Sequence, residues 1–300
     1  MTATWSDVAR KDVADAVRSR MLWGIVGIFV TLMGLLLVIA PVTLPIEGEI
    51  TAERALAFVT EVAQLFVPVV ALIVSYMAIV GERRNGSLRI LMTYPFSRSD
   101  FVVGKLVGRA TVIGIALMVG IVTTTLLAIG IYGLPGGYAL LGLAISVLLF
   151  GLAFTGIGVG VSAATHTRGR AMAIVLSIYL VFLMFWDGLV AAAYFAINGT
   201  MPGLRAAGWY FFLLRLNPIE AFRALVDRAL EPTVPTAFVI PVEDIPSDVS
   251  GEQLELANRV SGELPFYLGD WTLILILLFW TVFPLIIGYY RFAKSDIAVH

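Results

Sequence analysis

Cysteine is absent from the 300 residues, which excludes disulfides, thiolate metal sites and thiol catalysis. Histidine is almost absent: only His166 and His300 occur, with no H-E-x-x-H or comparable ligand set around them. His166 reads as a polar residue closing an apolar run rather than as a ligand, and no metal site is expected. Charged residues make up only 14% of the chain, with a net charge of -1. A phosphate-cradling G-x-x-x-x-G-K-[ST] loop is missing as well. The one Gly-Lys pair, Gly104-Lys105, has Ser99 where the first glycine should stand and Leu106 after the lysine.

What the chain has is apolar surface. Hydrophobic residues reach 59% and the mean hydropathy is +0.94, which suits a chain dissolved in lipid. A bilayer core of roughly 30 Å needs about 20 apolar residues per helix. Six runs read as spans, at about 22–40, 62–81, 110–133, 138–165, 171–197 and 272–290. They are continuous rather than alternating, which indicates helices instead of barrel strands. The expectation is an all-α integral membrane protein forming a single domain over 1–300. About twenty polar residues precede the first run and Pro41 follows it, so it does not read as a signal peptide.

Basic residues set the orientation. Fourteen of the twenty lie in the N-terminal segment, the loop after the second run, the link after the fourth and the tail; six lie on the other side. This places both termini in the cytoplasm, in a multi-pass protein of the cell membrane. Because the basic residues cluster by membrane side, nothing suggests nucleic-acid binding. Outside, the connection 198–271 carries ten acids against five bases and seven prolines, too broken for a large separate domain. Short helices are expected at 216–230 and 250–261. Inside, residues 5–20 place Trp5, Val8, Ala9, Val13, Ala16 and Val17 on one face and charges on the other. That pattern suits a helix in the membrane interface, with a plain polar extension of the first span as the alternative.

The most informative stretch is 82–109, ERRNGSLRILMTYPFSRSDFVVGKLVGR, with six bases against two acids. Asn85-Gly86 signals a turn, Ser87 can cap a helix, Leu88, Leu91 and Met92 share a face, and Pro95 ends the run. Ser97-Arg98-Ser99-Asp100 then reads as a capping box opening the next helix, which continues through Phe101, Val102, Gly104 and Gly108. A short rigid helix between two turns can transmit a push that a flexible linker cannot.

This loop resembles the signature loop of ABC exporter permeases of type 2, which have a Glu, a Gly-Ser/Thr, a Leu-rich turn, Pro-x-Ser-Arg and a Gly-Lys entering the third helix. The six-run layout, and Leu216-Asn217-Pro218 with Arg223 before the last run, are similar too. Within that class the chain is most similar to permeases linked to nitrous oxide reductase maturation and to archaeal relatives. The resemblance implies a cytoplasmic coupling helix from Glu82 to Pro95. Its partner-binding residues would be Glu82, Arg83, Arg84, Gly86, Leu88, Arg89, Leu91, Met92, Pro95 and Arg98. It further implies a separate ABC ATPase subunit carrying ATP and Mg, no cofactor on this chain, no catalysis by it, and pairing of two permeases as a homodimer or heterodimer. The spans 22–40, 62–81 and 171–197 would lie nearest that pairing.

Asp187, in Phe185-Trp186-Asp187-Gly188, is the one charge clearly inside a run. It could line the substrate path, or sit in the outer half bonded to a neighbour beside a helix break at Gly188. Gly156, Gly158 and Gly160, with Gly114 and Gly120, serve either packing within the chain or a dimer seam. Ser75, Tyr76 and Thr123–Thr125 are mild polar marks for a cavity. The function implied is export of an unspecified substrate. The alternative is a gradient-driven carrier depending on Asp187. An intramembrane enzyme is disfavoured, because no nucleophile–base pair is present.

Overall fold

The computed structural model describes residues 4–43, 50–84, 97–230 and 256–294. Among them it is helical, with one isolated bridge between Ala206 and Val260 and no further strand pairing. Helix α1 (Trp5–Val17) is followed by α2 (Arg20–Thr43), α3 (Ala52–Ser75) and the short α4 (Val80–Arg84). Next come α5 (Arg98–Tyr132), α6 (Gly137–Ala164) and α7 (Arg168–Leu180). A π-helical turn at Val181–Phe185 carries α7 into α8 (Trp186–Asn198). Three small helices, α9 (Gly208–Arg215), α10 (Pro218–Ala229) and α11 (Leu256–Arg259), precede α12 (Trp271–Lys294).

Among the described residues, five helical stretches are long and apolar enough to cross a membrane: Ala52–Arg84, Arg98–Tyr132, Gly137–Ala164, Arg168–Asn198 and Trp271–Lys294. The first expected run appears inside α2 as the shorter apolar stretch Trp23–Ile39. The second helix begins ten residues before the apolar run that announces it. Thr51 caps it, accepting from the Arg54 amide at 3.3 Å, and Ala55, Leu56 and Val59 bury its first turns. Glu53, Arg54 and Glu61 hide that beginning from a hydropathy count, although the face they leave is apolar. At its other end α3 stops at Ser75. The turn before α4 exposes the amides of Ile79 and Val80, and the buried Ser162 hydroxyl accepts from both at 3.0 Å.

Helix α6 is the axis of the fold, packing against α12, α3, α5 and α10. Helices in lipid gain no hydrophobic energy from touching, so close van der Waals approach must hold them. One run of α6 supplies it. A side chain at Gly156 or Gly160 would run into the α12 backbone at Thr281 or Pro284, and one at Gly158 into Ser75 of α3. Gly288 of α12 meets the Gly160 carbonyl in the same way. These glycines therefore serve packing within the chain. Gly120 admits the Phe29 ring of α2, whereas Gly114 has only a loose neighbour in Leu148.

Expected at 216–230, the helix forms as Pro218–Ala229; of the stretch 250–261, the described part is helical at Leu256–Arg259. No break occurs at Gly188. The irregularity lies one turn earlier, where the π-helical turn frees the Phe182 carbonyl, and Asn217 donates to it at 2.8 Å. The same side chain caps α10 by accepting from the Ile219 amide at 3.0 Å. Trp280 of α12 donates to the Leu216 carbonyl at 2.8 Å, so Leu216-Asn217-Pro218 is bolted to two helices.

Replacing Gly160 with Leu should destabilise the fold by about 3 kcal/mol or more, because the obstacle is backbone rather than a mobile side chain. Thermal unfolding in detergent checks this, with Gly114→Leu expected to be nearly silent.

Candidate functional site

One end of the bundle gathers the feet of the segment 85–96. Of the partner-binding residues expected from the sequence, Glu82, Arg83, Arg84 and Arg98 are described and stand at those feet. Gly86, Leu88, Arg89, Leu91, Met92 and Pro95, with the expected short helix, lie outside the described residues. The expected capping box is present: the Asp100 amide donates to Ser97 Oγ at 3.0 Å, and the Ser97 amide donates to Asp100 Oδ2 at 3.1 Å. It opens a 35-residue helix, so the second foot is continuous with a spanning element.

Both feet are anchored. Arg98 donates to the carbonyls of Phe292 at 3.0 Å and Ala293 at 2.7 Å, capping the end of α12. The guanidinium groups of Arg83 and Arg98 lie 5.4 and 5.8 Å from the Phe292 ring, which stacks on Phe101. On the first foot, Glu82 Oε1 lies 2.5 Å from Lys105 Nζ, which is also 2.8 Å from Asp12 Oδ1. Arg109 grips the same Asp12 carboxylate, Nε to Oδ2 at 2.8 Å. Lys105 and Asp12 are buried. Reading α1 as apolar on one face and charged on the other missed this, since Asp12 falls on the stripe of Trp5, Val8 and Ala9. The missed signal is that position: a carboxylate on an apolar stripe needs a buried cation.

His166 sits at this end, after α6. Desolvation, together with repulsion from Arg83 and Arg170, holds its imidazole below the ordinary range. Of the other polar marks, Tyr76 accepts from Arg168 Nε at 3.3 Å, and Ser75 packs against Gly158. Thr124 and Thr125 do line a narrow apolar crevice between α2, α3, α5 and α6, with Phe29, Met33 and Thr60.

The opposite end holds a second charged group. Arg223 of α10 bonds Glu220 at 2.7 Å and approaches Glu61 of α3 at 3.7 Å; Gln64 donates to the same Glu61 oxygen at 2.7 Å. Asp227 and Asp187 share this electrostatic neighbourhood. Asp187 follows the π-helical turn, half-buried, with Oδ1 lacking a hydrogen-bond partner among the described residues. Its field adds to the burial that pushes Tyr210 up to about 12. Sequence reading singled out Asp187 and missed Glu61, Glu220 and Asp227. Among the described residues, no cluster fit to hold a metal ion is present.

With the geometry in place, comparison with known proteins decides the class. The profile of the ABC-2 family transporter proteins matches residues 6–297. The chain belongs to the ABC-2 transporter family. Among curated relatives of this ABC-2 protein is the probable ABC transporter permease protein NosY of Pseudomonas aeruginosa. It is 26% identical over 261 residues, covering 86% of this chain and 93% of the relative. The similarly named protein of Stutzerimonas stutzeri is 27% identical over 229 residues, covering 75% and 81%. The chain is thus a membrane permease of the ABC transporter class and resembles NosY.

The second cluster makes stability depend on pH. Burial pushes the Glu220 carboxyl up to about 7, with the Arg223 charge opposing, and burial together with the Glu61 charge takes Asp227 to about 6. A carboxyl whose folded value is raised holds its proton more tightly in the folded state. Its contribution is therefore fully present below the ordinary carboxylate range and declines as pH rises toward 7. The span for Glu220 is of order 3 kcal/mol. Melting temperature in detergent should fall between pH 5 and 8, and Glu220→Gln should flatten that fall. An equally steep profile in the variant would remove Glu220 as its source.

Proposed function

We propose that this chain is the membrane-spanning subunit of an ATP-driven ABC exporter. The observation that carries the reading is the match to the ABC-2 family along nearly the whole chain, in a sequence with no phosphate-binding loop of its own. A separate ATPase subunit, binding ATP and Mg, closes on nucleotide and pushes the segment 85–96. Glu82, Arg83 and Arg84 on one foot and Arg98 on the other frame that docking site, and Gly86, Leu88, Arg89, Leu91, Met92 and Pro95 complete it. The α2 stretch acts as the sixth span, α1 lies along the interface, and both termini are cytoplasmic. The basic-residue bias supports this orientation, with fourteen of twenty at the termini-bearing side. Two permeases, identical or related, pair to enclose the path. The outward-facing Met184, Phe185 and Leu189 of α7–α8 suit that pairing.

A gradient-driven carrier is the second reading, and one observation favours it. Asp187 shares its surroundings with Glu220, so a proton path would not depend on a lone carboxylate.

Charge reversal at Arg83, Arg84 and Arg89 together should reduce the ATPase retained on the tagged, detergent-purified chain at least tenfold. Quantitative mass spectrometry of the purified complex from its native host measures the ratio. Retention equal to wild type would refute the docking role. A chain that purifies alone, and transports in vesicles without nucleotide, would instead establish the gradient-driven reading.

A further inference from the structure

Lys105 holds together three elements that are distant in the chain. Its ammonium bridges Asp12 of α1 and Glu82 of α4, at 2.8 and 2.5 Å, from a position two turns into α5. Arg109, one turn on, holds Asp12 from its other oxygen. The four side chains balance, two acids against two bases. Where α1 crosses α5 there is no slack. A Cβ at Gly104 would stand 2.6 Å from the Trp5 carbonyl oxygen and from Val8 Cβ, and one at Gly108 would stand 2.7 Å from Asp12 Cβ. Sliding or rolling α1 along α5 would therefore both collide and strand buried charge.

Buried ion pairs add little net stability over apolar residues of the same volume, yet breaking one by removing a single partner is strongly unfavourable. That asymmetry suits a device whose purpose is register. Glu82 stands three residues before the segment 85–96, and Arg98, which ties the far foot to α12, stands two residues after it.

We propose that Lys105 is a positioning residue that locks α1, α4 and α5 into one rigid frame around residues 85–96, so that a push on that segment moves α1 together with both adjoining helices. This rests on the segment being the ATPase contact. The N-terminal helix is then a working part of the coupling element, and Gly104-Lys105 with Gly108 is the hinge-free joint between them.

Because the chain lacks cysteine, the test can use introduced thiols alone. Spin labels at Lys11→Cys in α1 and Arg84→Cys in α4, in nanodiscs, report the α1–α4 distance distribution by double electron–electron resonance. A second pair at Leu141→Cys in α6 and Leu275→Cys in α12 serves as control. Lys105→Met should broaden the first distribution at least twofold and leave the second unchanged. In unlabelled complex it should lower ATP turnover at least tenfold. Should that variant fail to fold, Asp12→Leu/Glu82→Gln/Lys105→Met strands no carboxylate, and the same broadening is expected. An α1–α4 distribution as narrow as wild type in the triple variant, or in a folded Lys105→Met, overturns the lock. Broadening with undiminished ATP turnover overturns its role in coupling. If wild type retains no ATPase, the coupling reading fails by itself while the distances still judge the lock.

Discussion

Without water to expel, the spanning helices of this protein must be held by how near their backbones can come. The small-residue run of α6 provides that nearness. Gly156 and Gly160 bring in α12, while Gly158 brings in the Ser75 turn of α3. The remaining arrangement depends on this. With α12 seated on α6, its C-terminal carbonyls at Phe292 and Ala293 fall where Arg98 can cap them. With the Ser75 turn seated, Ser162 of α6 meets the amides of Ile79 and Val80, and α4 leaves in the direction that takes Glu82 to Lys105. Packing among apolar helices thus decides where the charged residues stand.

Three polar side chains share one task. Each sits where the backbone departs from regular helix and would leave a donor or acceptor unpaired, at a cost of several kcal/mol per group in lipid. Ser162 serves the α3–α4 turn, Asn217 serves the π-helical turn between α7 and α8, and Trp186 donates to the Leu213 carbonyl at 2.9 Å near the end of α9. Irregular backbone is tolerated in these places because a specific side chain from another element answers it.

Long elements were legible in the sequence, since runs of apolar residues report lipid directly: α5, α6, the α7–α8 stretch and α12 all overlie the expected runs. Local chemistry was legible too, as the Ser97–Asp100 capping box demonstrates. What could not be read was pairing at a distance. Asp12 and Lys105 are 93 positions apart, and Arg223 meets Glu61 from a different helix. Each charge taken alone looks solvated, so Asp12 was counted with the charged face of α1 and Glu61 fell just outside the second run. Lys105 was noticed as part of a Gly-Lys pair, which says nothing of the two carboxylates around it. The expected break at Gly188 was misplaced for a related reason. Glycine marks a possible bend, but the π-helical turn is set by Asn217, which is close in space and distant in sequence.

The two charged clusters sit at opposite ends of one continuous path. Helix α3 carries Glu61 near one end and leads through the Ser75 turn to Glu82 at the other. At the Glu82 end Lys105 and Arg109 hold Asp12 and Glu82 in buried or half-buried pairs, which favours a fixed geometry: a displacement separates those pairs. At the Glu61 end, four acids lie around Arg223, with Arg215 also feeling the charge of Glu220, and burial has already moved Glu220 to about 7, so the charge there can change with a single proton. Helix α3 thus has one end fixed by paired charges and another whose charge follows pH. Helix α10 is anchored through Asn217 and the Trp280–Leu216 bond, packs against α3 and α6, and adds the Arg223–Glu61 pair to its contact with α3.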